Sequence, residues 1–230
     1  MPEGRPFRLV RSGAWLVAHF DRFQRTASWA ICGGGLWKSR TVAWLEVSDR
    51  DLRPPVDARR FLHARLSALG DEDAVGLLTS RSLDAFTEAS RSDGALETRC
   101  VATVGLGNAL RAGDPPGKGP HSGTINILCH VSAPLSDEAL LEALALCAEA
   151  RALAVREAEV TSTTTGKPAS GTGTDCIVVA APEGAEPIQH VGKHTVVGHL
   201  IGHVVHEAVR RGVEQWNAER AGRTRALGEV

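Results

Sequence analysis

The sequence predicts one α+β domain, in which a mostly antiparallel or mixed sheet is packed by two long helices in the C-terminal half. The 230 residues are 43% hydrophobic, which suits one sizeable core. Short strand-like runs cluster in the first half, and two long segments of the second half carry apolar residues at helical spacing. We expect the domain to span residues 1–220 and residues 221–230 to form a flexible tail.

The first half of the chain is predicted to consist mainly of strands joined by short turns. Residues 7–20 form a predicted hairpin that turns at Arg11-Ser12-Gly13. A helix over residues 56–69 should end at Gly70, because glycine commonly terminates helices. The other predicted elements are strands at residues 27–31, 41–47, 74–80 and 96–104 and a short helix at residues 83–91.

The second half is predicted to hold the two long helices. One covers residues 137–156, with Ser136 as its N-cap. The other starts near Thr195 and ends at about Asn217. Residues 113–122 (GDPPGKGPHS) are predicted to form a loop because they are rich in glycine and proline. The remaining predictions are strands at residues 123–131, 159–163 and 174–181 and a loop at residues 164–173.

The charge and composition exclude several function classes. The net charge is -1 and aromatic residues make up 4% of the chain, so neither a basic field nor stacking platforms for nucleic acid are expected. No run reaches the roughly 20 apolar residues of a membrane span. Residues 1–10 are too polar for a secretory signal. We therefore expect a cytoplasmic protein without nucleic-acid or membrane partners, and its oligomeric state stays open, a homo-oligomer included.

The cysteines indicate no structural cross-links. Cys32, Cys100, Cys129, Cys147 and Cys176 are scattered, odd in number and without CxxC spacing. This pattern is typical neither of a disulfide framework nor of a zinc knuckle. Reduced thiols fit the expected cytosolic location.

Residues 170–175 (SGTGTD) are the first candidate binding segment. Glycines allow close approach of the backbone to a ligand, and Ser170, Thr172 and Thr174 add hydroxyls before Asp175 at a strand entrance. The preceding glycines have P-loop spacing, but the required Lys-Ser/Thr pair is absent and a strand follows instead of a helix. This excludes a P-loop and leaves a flexible loop, or a different nucleotide or phosphate site, as alternatives.

Residues 192–195 (GKHT) form a second candidate segment at the start of the last helix. Thr195 is a good N-cap. The positive end of the helix disfavours an imidazolium, so His194 could stay neutral and act as a base. Lys193 could polarise an anionic oxygen. Solvated residues at a turn are the alternative interpretation.

Three histidines recur further along the last helix. His199, His203 and His206 follow at i, i+4 and i+7, on a stripe opposite the apolar face. Such a stripe could bind a metal ion, but neither the HExxH nor the HxxEH order is present. An exposed polar stripe is therefore favoured, and no metal site is predicted.

Further candidate ligand contacts come from small and amide residues. Gly34 and Gly35 lie in a triple-glycine run, and Asn108 follows another glycine-rich turn. Asn126 stands in an apolar strand, where a buried amide must find partners. None of these residues by itself identifies a reaction.

Taken together, these segments resemble the adenosylcobinamide amidohydrolase family of corrinoid salvage. The matching stretches are spread over most of the chain. They are residues 28–35 (SWAICGGG), 103–113 (TVGLGNALRAG), 124–127 (TINI), 169–175 (ASGTGTD) and 191–205 (VGKHTVVGHLIGHVV). The GTGTD and GKHT segments are the most specific as a pair.

The resemblance implies hydrolysis of an amide bond in a corrinoid. Adenosylcobinamide, or a related cobamide, would lose its aminopropanol arm and give adenosylcobyric acid for cobamide salvage. The small-molecule corrinoid would be the substrate, and no further cofactor or metal would be required. The rival hypothesis is a non-catalytic corrinoid carrier in which a histidine such as His194 ligates cobalt.

Amide hydrolysis needs an activated nucleophile, a stabilised oxyanion and a proton for the leaving amine. On the hypothesis that both motifs face one cleft, His194 acts as base for a water or a loop hydroxyl, Asp175 orients it or shares the proton transfer, and Lys193 holds the oxyanion with the glycine-loop amides. Water and a Ser/Thr nucleophile stay open as alternatives. The expected substrate-binding residues are Ser170, Thr172, Thr174, Thr195, Asn126, Asn108, Gly34 and Gly35.

Overall fold

In a computed structural model, which describes residues 6–116 and 123–228, the chain has the predicted α+β architecture. The strands are β1 (Arg8–Ser12), β2 (Trp15–Ser28), β3 (Gly35–Glu46), β4 (Val75–Thr79), β5 (Thr87–Asp93), β6 (Leu96–Val104), β7 (Ala109–Leu110), β8 (Ile125–Val131), β9 (Gly171–Thr172) and β10 (Cys176–Pro182). The helices are α1 (Ala58–Ala68), α2 (Asp137–Glu157) and α3 (Val196–Gly228). Part of the loop predicted at residues 113–122, residues 117–122, lies outside the described residues.

The main sheet is mixed, as predicted. Its strand order is β4-β3-β2-β10-β8-β6-β5, and β1 pairs with β2 beside this path. The β3–β4 and β8–β10 pairs are parallel, and the other pairs of this sheet are antiparallel. Strands β7 and β9 form a separate two-stranded ladder that ties the Asn108 turn to the SGTGTD segment.

The two long helices of the C-terminal half cover one face of this sheet. They connect as β8-α2-β10-α3, the arrangement expected when parallel strands need a crossover. Helices α2 and α3 pack against inward residues such as Ile127 on β8 and Val179 on β10, with Ile201 and Val205 contributed by α3. Alternation along β8 and β10 turns their other residues to the opposite face.

The opposite face is concave and encloses a second core. This core joins Trp44 and Leu77 from the β2–β4 side of the sheet to Leu128 and Val178 from the β8–β10 side. The side-chain amide of Asn126 on β8 donates to Leu78 O on β4 at 2.7 Å, although four strand pairings separate these strands in the sheet. The sheet therefore curls over on itself. Helix α1 packs outside the curl through Leu62 and Leu66.

Most predicted elements are confirmed, including both helix caps. Ser136 accepts a hydrogen bond from Ala139 N at 3.2 Å, and Thr195 Oγ1 accepts one from Gly198 N at 3.0 Å. No helix of the described part of the chain is long and apolar enough to cross a membrane.

Four predicted elements were wrong. The strand predicted at residues 27–31 does not form as an element of its own: Ala27 and Ser28 end β2, and residues 29–31 lie outside any strand. Residues 83–91 are not a helix: after a single 3-10 turn at Leu83–Ala85 they form β5, because pairing with β6 across a two-residue turn outweighs local helix preference. Residues 159–163 contribute only an isolated bridge between Thr161 and Pro168. The last helix does not end near Asn217 but runs to Gly228.

Candidate functional site

A cavity of about 680 Å3 lies beside β4 and faces the starts of β8 and β10. Strand β4 pairs with β3 along one edge, and at its other edge Gly76 N donates to Cys32 O at 3.0 Å and Leu78 O accepts from Asn126. The walls are formed by residues 29–31 after β2, 47–49 after β3, Leu52, Ala58, 76–80, Asn108, Gly123, Thr124, Asn126 and 173–176. This volume is in the range of small-molecule sites, roughly 300–1,000 Å3.

Asp175 joins the cavity to helix α2. Its Oδ1 accepts hydrogen bonds from Ile125 N at 2.9 Å and from Thr172 Oγ1, and its Oδ2 accepts from Thr172 N at 2.9 Å and from Arg151 Nη1. The side chain is 5% exposed. Because an ionised carboxylate offers about four acceptor positions, this one is fully occupied. The arrangement suits a residue that fixes the loop rather than one that takes a proton.

The same loop is held to the start of β8 through hydroxyl groups. Thr124 Oγ1 donates to Thr174 O at 2.9 Å, and Thr174 Oγ1 donates to Gly123 O at 3.1 Å. At Gly123, an added Cβ would lie 2.7 Å from Gly107 N, so only glycine allows the Asn108 turn to approach so closely. The predicted residues Thr174, Asp175, Asn108 and Asn126 therefore all line one cavity.

Asn108 presents an unused hydrogen-bonding atom at this point. Its Oδ1 is buried and has no hydrogen-bond partner among the described residues. A buried amide oxygen without a partner is costly, and a ligand N–H would satisfy it. Asn126, by contrast, is satisfied within the protein, since its amide also accepts from Thr124 Oγ1 at 3.2 Å.

The thiol of Cys176 also lines the cavity but does not suit nucleophilic catalysis. Burial raises its pKa to about 11, and Ser28 Oγ lies 3.7 Å from its sulfur. The thiolate is the reactive form of cysteine, so at neutral pH this side chain stays a protonated, unreactive thiol.

The cavity contains one carboxylate with free oxygens. Asp49, on the exposed turn after β3, forms no hydrogen bond or ion pair with another described residue. None of the described lining residues is a lysine, arginine or histidine. Among the described lining residues, Asp49 therefore has the carboxylate that is free to accept a proton from water.

The structure does not bring Lys193 and His194 to this cavity. Lys193 Nζ pairs with both carboxylate oxygens of Glu149 on α2, at 2.6 and 2.8 Å, and His194 is exposed. Asp175 instead reaches Arg151, two residues further along α2. Residues two apart are about 200° apart around a helix, so the two motifs contact opposite sides of α2. The described residues therefore do not place the two motifs in one cleft.

The other predicted contact residues have local structural roles in the described chain. Thr195 caps α3, Ser170 Oγ accepts from Ala112 N at 2.9 Å, and Thr172 holds Asp175. Gly34 packs under the end of β2, where an added Cβ would lie 2.2 Å from Ala30 O. Gly35 opens β3 at a φ of 84°. These five residues, Gly34, Gly35, Ser170, Thr172 and Thr195, do not line the cavity.

The histidine stripe is occupied by protein contacts. His206 Nε2 lies 2.6 Å from Glu157 Oε2, and His203 Nε2 lies 3.0 Å from Arg91. Within residues 6–116 and 123–228, no cluster of three or more histidine, cysteine or acidic residues could hold a metal ion.

Sequence reasoning missed three residues that shape the site: Arg151, Trp29 and Asp49. Arg151 is 16% exposed and gave no spacing signal within its helix. Trp29 stood in the SWAICGGG stretch, but its aromatic ring was not singled out. Asp49 lies in a charged turn with no distinctive pattern. Arg151 and Trp29 acquire their significance from Asp175, which lies far away in the chain, and Asp49 acquires its significance from the cavity that it lines.

Comparison with known proteins identifies the family of this chain. The family model described as adenosylcobinamide amidohydrolase (CbiZ) matches residues 4–221. The chain belongs to this amidohydrolase family. A family member of that name from Halobacterium salinarum is 30% identical over 202 residues, which cover 84% of this chain and 82% of that protein.

Two further matches are more limited. An uncharacterized protein from Methanocaldococcus jannaschii is 36% identical over 88 residues, covering 38% of this amidohydrolase-family chain and 34% of that protein. A crystal structure of a protein from Pyrococcus horikoshii OT3 aligns with a TM-score of 0.41 and 12% identity, over 90% of this chain and 82% of that one.

Proposed function

We propose that the protein hydrolyses the amide bond between the aminopropanol arm and the corrin ring of adenosylcobinamide, or of a related cobamide. The products would be adenosylcobyric acid, which can re-enter cobamide synthesis, and free aminopropanol. Membership of the amidohydrolase family carries this proposal. The cavity supports it, because two segments of the family resemblance that lie far apart in the chain, around Asn108 and around Asp175, meet there.

The polar wall of the cavity suits the needs of amide hydrolysis. Water adds to the amide carbonyl carbon, the carbonyl oxygen becomes an oxyanion, and the carbon–nitrogen bond then breaks as the amine takes up a proton. In this proposal the Asp49 carboxylate accepts the proton of the attacking water and later delivers it to the leaving amine. The Asn108 amide and the Thr174 hydroxyl contact the reacting amide.

In this proposal Asp175 is a positioning residue. Its carboxylate holds Thr172, the start of β8 and Arg151 in one arrangement, and its own acceptor positions are in use. The rigid loop then presents Thr174 to the cavity. The reaction as proposed uses no metal ion, so turnover should survive incubation with EDTA. Complete loss of turnover that added zinc restores would contradict this part of the proposal.

The deciding experiment is direct. The protein is incubated with adenosylcobinamide, and the mixture is analysed by mass spectrometry for adenosylcobyric acid and aminopropanol. Appearance of both products at equal amounts supports the hydrolase. A change in the corrinoid absorption spectrum without either product would instead support the non-catalytic carrier. A covalent corrinoid adduct of the protein during turnover would exclude the simple water route.

A further inference from the structure

An exposed apolar surface borders the mouth of the cavity. Trp29 and Ile31 follow β2, and the alternation of an extended chain turns both outward while Ala30 between them is buried. Trp29 is 50% exposed and Ile31 is 37% exposed. Leu52 and Ala58 line the cavity beside them. We refer to Trp29, Ile31, Leu52 and Ala58 together as the apolar ledge.

The ledge is rigidly held. Trp29 Nε1 donates to Asp175 O at 2.7 Å, which links the indole to the loop of the polar wall. Behind it, Ser28 Oγ accepts from Ala30 N at 3.0 Å and donates to Ile177 O at 2.8 Å. Gly34 packs against Ala30 O so closely that no side chain fits between them. An indole fixed in this way is a preorganised surface, because binding to it costs little conformational entropy.

The two parts of the site differ in chemistry. The cavity wall beyond the ledge carries Asn108, Thr124, Asn126 and Thr174, whereas the ledge offers a flat aromatic ring and aliphatic groups. Ligand sites commonly combine apolar walls with a few polar groups that fix orientation. An exposed apolar patch beside a polar cavity typically marks a binding surface.

The volume of the cavity limits how much of a corrinoid can enter it. Cavities of roughly 300–1,000 Å3 enclose most of a drug-sized ligand. A corrin macrocycle with its amide arms is larger than such a ligand, so a cavity of about 680 Å3 cannot enclose all of it. The cavity can take one arm, and the ring must then lie outside, at the mouth, where the ledge is.

We propose that the apolar ledge binds the flat face of the corrin ring through Trp29, so that the amide-linked arm enters the polar cavity. This proposal rests on the proposed function and identifies the part of the substrate that the mouth recognises. Trp29 thereby contributes to ground-state binding and to the choice of corrinoids over small linear amides. The ring of the substrate, and not the adenosyl group, is the part that contacts the indole.

Three variants test the proposal. Trp29→Ala removes the ring, and Trp29→Phe keeps a flat aromatic face but loses the N–H that donates to Asp175 O. Trp37→Ala is the matched control: Trp37 is 43% exposed, its Nε1 also donates to a backbone carbonyl, Asp73 O at 3.0 Å, and it does not line the cavity. Dissociation constants are measured by titration calorimetry for dicyanocobinamide and for adenosylcobinamide.

The expected change follows from the area of the indole. A tryptophan side chain contributes roughly 150–250 Å2, so about 100 Å2 of a half-exposed ring can still be covered by a ligand. Covering that area corresponds to about a 30- to 250-fold change in Kd. We expect Trp29→Ala to raise the Kd of both cobinamides by this factor, and to raise KM with little change in kcat. Trp29→Phe should stay within about fivefold of the wild type, and Trp37→Ala within about twofold.

Several outcomes would overturn the proposal. One is that Trp29→Ala binds both cobinamides as tightly as Trp37→Ala does. Another is that Trp29→Phe binds them as weakly as Trp29→Ala, which would assign the effect to the hydrogen bond with Asp175. Weakening confined to adenosylcobinamide would place the adenine, and not the ring, on the indole. If the wild-type protein binds neither cobinamide and releases no product, the proposed function itself fails, which distinguishes the two.

Discussion

Replacing Asp175 with asparagine tests whether this carboxylate is the structural centre of the candidate site. Asp175→Asn removes the negative charge opposite Arg151 and turns one of the two acceptor oxygens into a donor. On the Oδ2 side the new NH2 group would face Thr172 N and Arg151 Nη1, and on the Oδ1 side it would face Ile125 N. In either orientation, the amide NH2 group faces N–H donors, so the hydrogen bonds on that side are lost.

The size of the effect follows from burial. The Asp175 and Arg151 side chains are 5% and 16% exposed. Breaking a buried ion pair from one side costs about 3–5 kcal/mol, and the partial exposure of Arg151 places this case near the lower limit. We expect the free energy of unfolding to fall by about 3 kcal/mol. For a domain of this size, that is a fall in Tm of roughly 6–12 °C.

Urea unfolding followed by far-UV circular dichroism measures this change. Asp84→Asn is the control, because Asp84 pairs with Arg11 at 3.0 Å but is 77% exposed. Exposed pairs contribute less than about 1 kcal/mol, so the control should lose no more than that. Arg151→Ala should cost less than Asp175→Asn, since the carboxylate keeps its donors from Ile125 and Thr172. A loss of less than about 1 kcal/mol in Asp175→Asn would refute the reasoning. So would a double variant, Asp175→Asn with Arg151→Ala, whose loss of unfolding free energy equals the sum of the two single losses.

Three further predictions concern catalysis and pH. Asp49→Asn should lower kcat by about 10²- to 10⁴-fold without changing the urea midpoint, because it removes the proposed base; a loss below tenfold would exclude that role. His194→Ala should keep turnover within about threefold of wild type in the same mass-spectrometric assay, since the side chain lies outside the cavity; a loss of orders of magnitude would restore it as the base. Burial, helped by the charges of Arg99 and Arg22, lowers the pKa of His130 to about 3 from its ordinary value of 6.5. The unfolded chain therefore takes up a proton below pH 6.5 that the folded protein does not. The contribution of His130 to the free energy of unfolding is complete above pH 6.5. It should fall by about 1.4 kcal/mol for each pH unit as the pH drops from 6.5 toward 3. His130→Asn should show a shallower loss in urea unfolding between pH 6.5 and 4; an unchanged slope would contradict this assignment.

Much of the fold followed from local patterns. Strand β6 has the predicted bounds, and α2 extends one residue beyond its predicted end, because alternation, helical periodicity and the Ser136 cap are properties of neighbouring residues. Residues 83–91 were mispredicted because β5 depends on β6. The useful signal was Gly94, whose φ of 57° closes the two-residue turn between these strands.

The candidate site was predicted only in part. The segments around Asn126 and Asp175 do meet, because parallel pairing sets Asn126 beside Cys176, the residue after Asp175. The GKHT segment does not join them. Lys193 pairs with Glu149, and the backbone N of Val191, just before the segment, donates to Glu142 at 2.7 Å, so these contacts attach the start of α3 to α2. Nothing in local spacing distinguishes a helix-start lysine that binds substrate from one that binds a neighbouring helix.

The sequence by itself determined the α+β class, the positions of the long helices, the family resemblance and the importance of the SGTGTD segment. These features depend on residue types over short stretches and on motifs that can be read directly. Only the tertiary structure decided which residues share the cavity. Arg151 and Trp29 reach Asp175 across 24 and 146 positions of the chain, and the curl of the sheet brings Asn126 to Leu78 across 48. Such contacts arise from the packing of whole elements, so no pattern of neighbouring residues encodes them.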